Sequence, residues 1–158
     1  MIKFYSQNSD NTFKQIDNLK PGCWIHIENA HIDDLKSLSE MAKIPLDLLQ
    51  DSLDKYEIPR IEQKNDVLAL FVRHPYSEEH GLHTATLEIL LTPQYLITIS
   101  PYKSVLIDAI LNSKVNFSLS DTPKWLLHLL STITHEFTLQ MKKVRAQVIE
   151  QQKEMIGV

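Results

Sequence analysis

Three groups of side chains in this 158-residue chain have the type and spacing to do chemistry. The first is acidic. Asp47, Asp51 and Asp54 stand four and three residues apart, the spacing that puts carboxylates on one face of a helix, and Glu57 follows closely. Glu78 and Glu79 are adjacent, in what reads as a loop between two central strands, and Asp33 and Asp34 open a predicted helix. Hard cations such as Mg²⁺ prefer oxygen ligands, keep several waters, and often need only one or two carboxylates. Such a site can also be split across a subunit boundary. A solvated acidic face is the commoner meaning of the same pattern. The second group is the histidines: His80 and His83 are three apart, and His128 and His135 are two helical turns apart. Neutral imidazoles suit zinc and copper, although surface or half-buried packing is their usual role. His135 and Glu136 begin like a zincin motif, but Leu139 stands where the second histidine is required, which excludes that metalloprotease. The third group has one member. His74, before Pro75, is the best isolated general-base candidate, yet it lacks a partner at a recognisable spacing, and no serine or cysteine has the strained-turn context of a hydrolase nucleophile.

Composition narrows the classes further. With glycine only at 22, 81 and 157, neither a phosphate-binding loop nor a dinucleotide fingerprint can be built. The net charge is −4 and the basic residues are dispersed, which argues against a nucleic-acid partner. The lone cysteine, Cys23, excludes an intramolecular disulfide framework; beside Trp24 in an apolar run it reads as buried packing. No signal peptide is evident. The best apolar run, Trp125 to Leu130, is interrupted by His128 and falls far short of the roughly 20 residues that cross a bilayer. The chain therefore reads as soluble, with any membrane span outside it.

These residues need elements to position them. Ile2 to Ser6 is a predicted strand, followed by a turn from Gln7 to Asn11. Pro21 and Gly22 mark a second turn before a buried strand, Cys23 to Ile27. Ile32, Leu35, Leu38 and Met41 fall three apart, predicting a helix over His31 to Lys43 with acids in its first turn. A short helix from Leu46 to Leu53 follows, and Pro59 forbids its continuation. Val67 to Val72 is a continuous apolar run, the pattern of a strand covered on both faces. Thr84 to Leu91 and Tyr95 to Ser100, joined by Thr92-Pro93, read as an antiparallel hairpin. Ser104 to Leu111 is a predicted helix. Asp121-Thr122-Pro123 is a strong helix start. From there to Met155 no glycine or proline intervenes, and Leu126, Leu130, Ile133, Phe137, Met141, Val144 and Val148 recur at spacings of three and four. The expected architecture is α/β: a mixed sheet flanked by helices in α-β-α layers, with a core over 1–121 and a C-terminal helical segment over 122–158. That last helix would be about 50 Å long, so its polar end is either an exposed arm or cut short.

The order of these features resembles the cytoplasmic domain of the CorA family of magnesium and cobalt transporters. The resemblance rests on Trp24-Ile25-His26-Ile27 before the first helix, the Leu-rich helix Ile32 to Met41, Ile44-Pro45-Leu46, Leu49-Gln50-Asp51, and Pro59-Arg60-Ile61-Glu62. It continues through the strand pair Leu87 to Thr92 and Leu96 to Ile99, then Trp125 onward. Gln50 replaces the family's usual glutamate, and the family's Gly-Met-Asn loop does not occur. The resemblance implies a fragment lacking the stalk and membrane helices, from a homopentameric cation channel on the cytoplasmic side of the bacterial inner membrane, and no enzyme. It implies that Mg²⁺ bound between neighbouring domains holds the channel closed, with Glu78 and Glu79 nearest the family's acidic ligand; Asp51 and Asp54, from the acidic spacing above, complete the regulatory ligand candidates. The isolated fragment is expected to be monomeric or weakly associated. A zinc exporter sharing the domain, or a free-standing oligomerisation module, are the alternatives.

Overall fold

A computed structural model describes residues 1–78 and 81–157, with the side chains of 77 and 78 excepted. Seven strands form one mixed sheet: β1 (Ile2–Gln7), β2 (Phe13–Ile16), β3 (Trp24–Ile27), β4 (Arg60–Lys64), β5 (Val67–Glu78), β6 (Gly81–Leu91) and β7 (Leu96–Ile99). Their order is β2-β1-β3-β7-β6-β5-β4. Among the described residues only β3 and β7 pair in parallel; the other neighbours are antiparallel. The expected hairpin of β6 and β7 is present, with Thr92 Oγ1 accepting from the Tyr95 amide at 2.9 Å to close the turn.

Each sheet face carries its own core, which gives the predicted α-β-α layers. On one face α1 (Ile32–Ala42) and α2 (Leu46–Gln50) bury Leu35, Leu38 and Leu49 against Ile25, Ile27, Phe71, Leu90, Ile97 and Ile99. On the other, α3 (Val105–Leu111) and α4 (Thr122–Met155) bury Ile107, Ile110, Trp125, Leu129 and Ile133 against Trp24, Leu70, Leu87 and Ile89. Trp24 and Trp125 meet edge to face at 5.5 Å, a favoured aromatic geometry. Cys23 is buried in the first core.

Local chemistry explains the element ends. His31 caps α1, its amide donating to Asp34 Oδ2 at 3.1 Å, and Lys43 in the left-handed region stops the helix (φ 58°). Asp121 caps α4 by accepting from the Lys124 amide at 3.3 Å, with Pro123 in the first turn. The helix then runs unbroken to Met155. Its buried face is led by Trp125, Leu129 and Ile133, rotated from the predicted stripe; Met141 and Val148 are exposed. Past Phe137 the helix is an arm leaving the domain, with only residues 140 and 144 half-buried.

Two strands went unforeseen. β2 (Phe-Lys-Gln-Ile) and β4 (Arg-Ile-Glu-Gln-Lys) form the two edges of the sheet. Edge strands are short and charged because that discourages pairing with other chains, and the same property erases their apolar signal. β5 also extends well beyond the predicted apolar run. Its register with β6 runs from Leu68↔Leu91 to Glu78↔Gly81, whereas β7 pairs with β6 only over Glu88 to Leu91. The far half of this hairpin therefore projects from the sheet, and Tyr76 stacks on Tyr102 (4.7 Å between rings) beneath it. Pro75 is tolerated there because β5 has no β4 partner beyond Phe71 to receive an N–H.

Candidate functional site

The acidic residues converge at the edge where α2 meets β4, around one cation. Arg60 on β4 donates through Nη2 to Asp51 Oδ2 at 2.7 Å and through Nε to Glu62 Oε1 at 2.6 Å, and through Nη1 to Glu57. Its guanidinium lies over the Phe71 ring, 4.0 Å from the centroid. Planar guanidinium suits both tasks at once, forked bonding to carboxylates and stacking on an aromatic face. Three carboxylates thus share one positive charge. Lys64 on the same strand holds Asp47 at 2.5 Å and lowers its pKa.

The single carboxylate face expected of Asp47, Asp51 and Asp54 does not form. The chain tightens into a 3₁₀ turn over Asp51–Leu53, and Asp54 leaves it with extended backbone. Asp54 Oδ1 accepts from the Tyr56 amide at 2.9 Å, and its carbonyl accepts from the Thr86 hydroxyl at 2.7 Å. The Asp51 side chain stays half-exposed beside Arg60. Glu78 lies at the end of β5, paired with Gly81, rather than in a loop. Glu79 and His80 lie outside the described residues. Among the described residues no three His, Cys, Asp or Glu side chains converge into a group able to hold a metal ion. Mg²⁺ bound here would rest on one or two carboxylates and its own waters, a mode that cation accepts.

Glu88 was missed from sequence, although a lone glutamate inside the apolar run of Thr84 to Leu91 was the available signal. Its side chain is fully buried, and neither carboxyl oxygen has a hydrogen-bond partner. Sheet register places it on a row running Arg60, Phe71, Glu88, Ile99, Ile27 across five strands. Ser52 lies beside the carboxyl and opposes the rise in its pKa, while its Oγ donates to the Leu49 carbonyl at 2.6 Å. Burial pushes the Glu88 pKa up to about 9, with Asp51 and Glu62 adding to the rise and Arg60 opposing it. A carboxyl in this setting is neutral at pH 7.

The histidines do structural work. His74 is buried with both ring nitrogens 3.2 Å from serine hydroxyls, Nε2 from Ser100 and Nδ1 from Ser104. It ties β5 to the start of α3. His26 Nδ1 lies 2.8 Å from Thr98 Oγ1, which also accepts from Trp24 Nε1 at 2.9 Å. Burial lowers both histidines to about 4. His128 packs on Phe117 and burial lowers its pKa as well; His135 is exposed. No helix among the described residues is long and apolar enough to cross a membrane.

Comparison with solved structures finds the same fold in CorA proteins. The complete CorA magnesium transporter from Methanocaldococcus jannaschii superposes with a TM-score of 0.84 at 20% identity, over 99% of this chain and 51% of that one. The soluble domain of CorA from the same organism gives 0.83 at 23% identity, over 99% of this chain and 65% of that one. The ZntB cytoplasmic domain from Vibrio parahaemolyticus gives 0.72 at 18% identity, over 94% and 63%. The chain thus spans between half and two thirds of the length of these structures. A search of curated protein sequences gives no match. The model of the family described as CorA-like Mg2+ transporter protein matches residues 20–157. With nearly the whole chain matched, from the turn before β3 to the end of the α4 arm, this protein belongs to the CorA-like family.

Proposed function

We propose that this chain is the cytoplasmic, cation-sensing domain of a CorA-like transporter for divalent metal ions, assembled as a homopentamer. The family match over residues 20–157 carries the proposal. Sensing follows from charge. Carboxylates facing each other across a boundary between copies repel when no ion is present, and a divalent cation offsets that repulsion. Glu78, at the end of β5, and Glu79, next to it in sequence, are the proposed regulatory Mg²⁺ ligands together with Asp51 and Asp54 at the sheet edge. Packing between copies would then report the ion concentration. The likeness to the ZntB domain supports a second reading, in which the same domain serves a zinc exporter.

The test uses the complete coding region. It should continue into two apolar spans of about 20 residues each, joined by a loop containing Gly-Met-Asn. The purified product in liposomes should then carry Mg²⁺ and Co²⁺ down their gradients. Flux of Zn²⁺ alone would favour the exporter. A coding region with no such spans would overturn the transporter reading and leave a free-standing interaction module.

A further inference from the structure

We propose that the cleft at the root of the projecting hairpin binds a polyvalent phosphate anion between Lys55 and Arg73. The cleft holds about 500 Å³, within the roughly 300–1,000 Å³ of small-ligand sites. Lys55 and Tyr56, which follow the 3₁₀ turn, form one wall. Arg73 and Tyr76 on β5, with His83 and Thr84 on β6, form the other. The space exists because β4 starts at Arg60, opposite Phe71, and so leaves Arg73 without a strand on that side. Among the described residues no aspartate or glutamate lines the cleft.

Arg73 is the fixed charge of this cleft. Its Nε donates to Thr84 Oγ1 at 3.3 Å, and its Nη1 to the Lys55 carbonyl and to Thr86 Oγ1 at 3.2 Å. Its Nη2 donates to the Thr84 carbonyl at 2.6 Å and to Thr84 Oγ1 at 2.9 Å. Every one of these acceptors is neutral. The half-buried guanidinium is therefore held rigidly, while its charge meets no carboxylate among the described residues. Arg60, on the neighbouring strand, is the opposite case, with three carboxylates on one guanidinium. Lys55 Nζ lies over the Tyr56 ring, 4.9 Å from its centroid. The acids of its own segment are engaged elsewhere: Asp51 and Glu57 on Arg60, and Asp54 on the Tyr56 amide. Two like charges lining one cleft repel each other until an anion comes between them. A phosphate matches both charges, whereas a single carboxylate balances only one. Its several oxygens can take the ammonium N–H groups of Lys55 and the Thr84 hydroxyl, whose oxygen already accepts from Arg73 and whose hydrogen is left to donate. Tyr56, 71% exposed, stands at the rim where a ring carried by the phosphate could stack. The net charge of −4 disfavours anions over the rest of the surface.

The experiment is an amide NMR titration of this chain with sodium pyrophosphate in one arm and sodium adenosine triphosphate in the other. Sodium chloride at equal ionic strength is the reference. The buffer is free of phosphate and of Mg²⁺, which keeps the result separate from any cation sensing. Both phosphates are expected to give saturable shifts at Lys55, Tyr56, Arg73 and Thr84 that chloride does not give. Tighter binding of the triphosphate identifies a nucleotide as the source of the phosphate; equal or weaker binding identifies the phosphate group itself. Lys55→Glu should weaken binding about tenfold or more, since it sets a like charge against the anion. Lys14→Glu, the same change of charge on β2 at the opposite edge of the sheet, should leave binding unaltered. Shifts that chloride reproduces, shifts that never saturate, or a Lys55→Glu variant that binds like the wild type overturn the proposal. Should Lys55→Glu fail to fold, the wild-type shifts measured against chloride decide alone.

Discussion

Glu88, His26 and His74 are each fully or almost fully buried, and each departs from its ordinary ionisation in a direction that bears on stability. Glu88 rises from 4.5 to about 9, so between those values the unfolded chain has lost a proton that the folded chain keeps. Stability therefore falls as pH rises, by about 1.4 kcal/mol per pH unit for one such group. The histidines fall from 6.5 to about 4, so below 6.5 the unfolded chain takes up protons that the folded chain refuses. Their contribution is complete above 6.5 and is lost as pH falls toward 4. Two histidine slopes outweigh one opposing carboxyl slope below 6.5, and Glu88 acts alone above it. Denaturant unfolding should accordingly show greatest stability near pH 6.5, and Glu88→Gln should flatten the alkaline limb and steepen the acid limb between 4.5 and 6.5, where the carboxyl no longer opposes the histidines. A wild-type profile flat from neutrality to pH 9 would contradict the burial of a neutral Glu88.

At the scale of elements, the long helix α4 divides by what its residues touch. Trp125, Leu129 and Ile133 lie in the core, whereas residues 145–157 are exposed throughout. Trp125→Ala should cost about 3–5 kcal/mol, the usual penalty for emptying a buried aromatic site. Removing residues 145–158 should leave the thermal midpoint nearly unchanged, because the described residues of that stretch, 145–157, are all exposed. Calorimetry of both variants checks the contrast; equal destabilisation would mean that the arm folds as part of the core. The same division explains what was legible from sequence. The buried strands, the helix start near His31, the cap at Asp121 and the hairpin turn at Thr92 are local signals, and each appeared where it was expected. The edge strands β2 and β4 carry charge for reasons of the whole sheet, so their short windows hold no strand pattern. The acidic site was half legible. Asp51 and Glu57 stood out in the sequence as neighbouring carboxylates, but their union with Glu62 and Arg60 depends on a 3₁₀ turn and a strand edge that no spacing rule encodes.

For the whole molecule, the question is what the chain does alone. Its exposed apolar side chains are dispersed, with Tyr56, Ile58 and Ile61 near the sheet edge and Leu139, Met141, Val148 and Ile149 along the α4 arm. Such scattered side chains form no continuous patch of the roughly 1,200–2,000 Å² that stable interfaces typically bury. Each copy also carries a net charge of −4, which adds a repulsion that salt screens. Light scattering of residues 1–158 at micromolar concentration should therefore give a monomer or a weak, concentration-dependent association. The same reasoning governs the cation. Asp51 spends its charge on Arg60, and no three metal-binding side chains meet among the described residues, so those residues of one copy offer Mg²⁺ at most one or two carboxylates. Calorimetry should find weak binding, with no defined stoichiometry, because the remaining ligands would have to come from neighbouring copies. Raising Mg²⁺ should shift the scattering mass upward before it saturates any site on the monomer. Tight stoichiometric binding by the monomer, with no change in mass, would place the whole sensor within one copy and remove the reason for coupling cation to assembly.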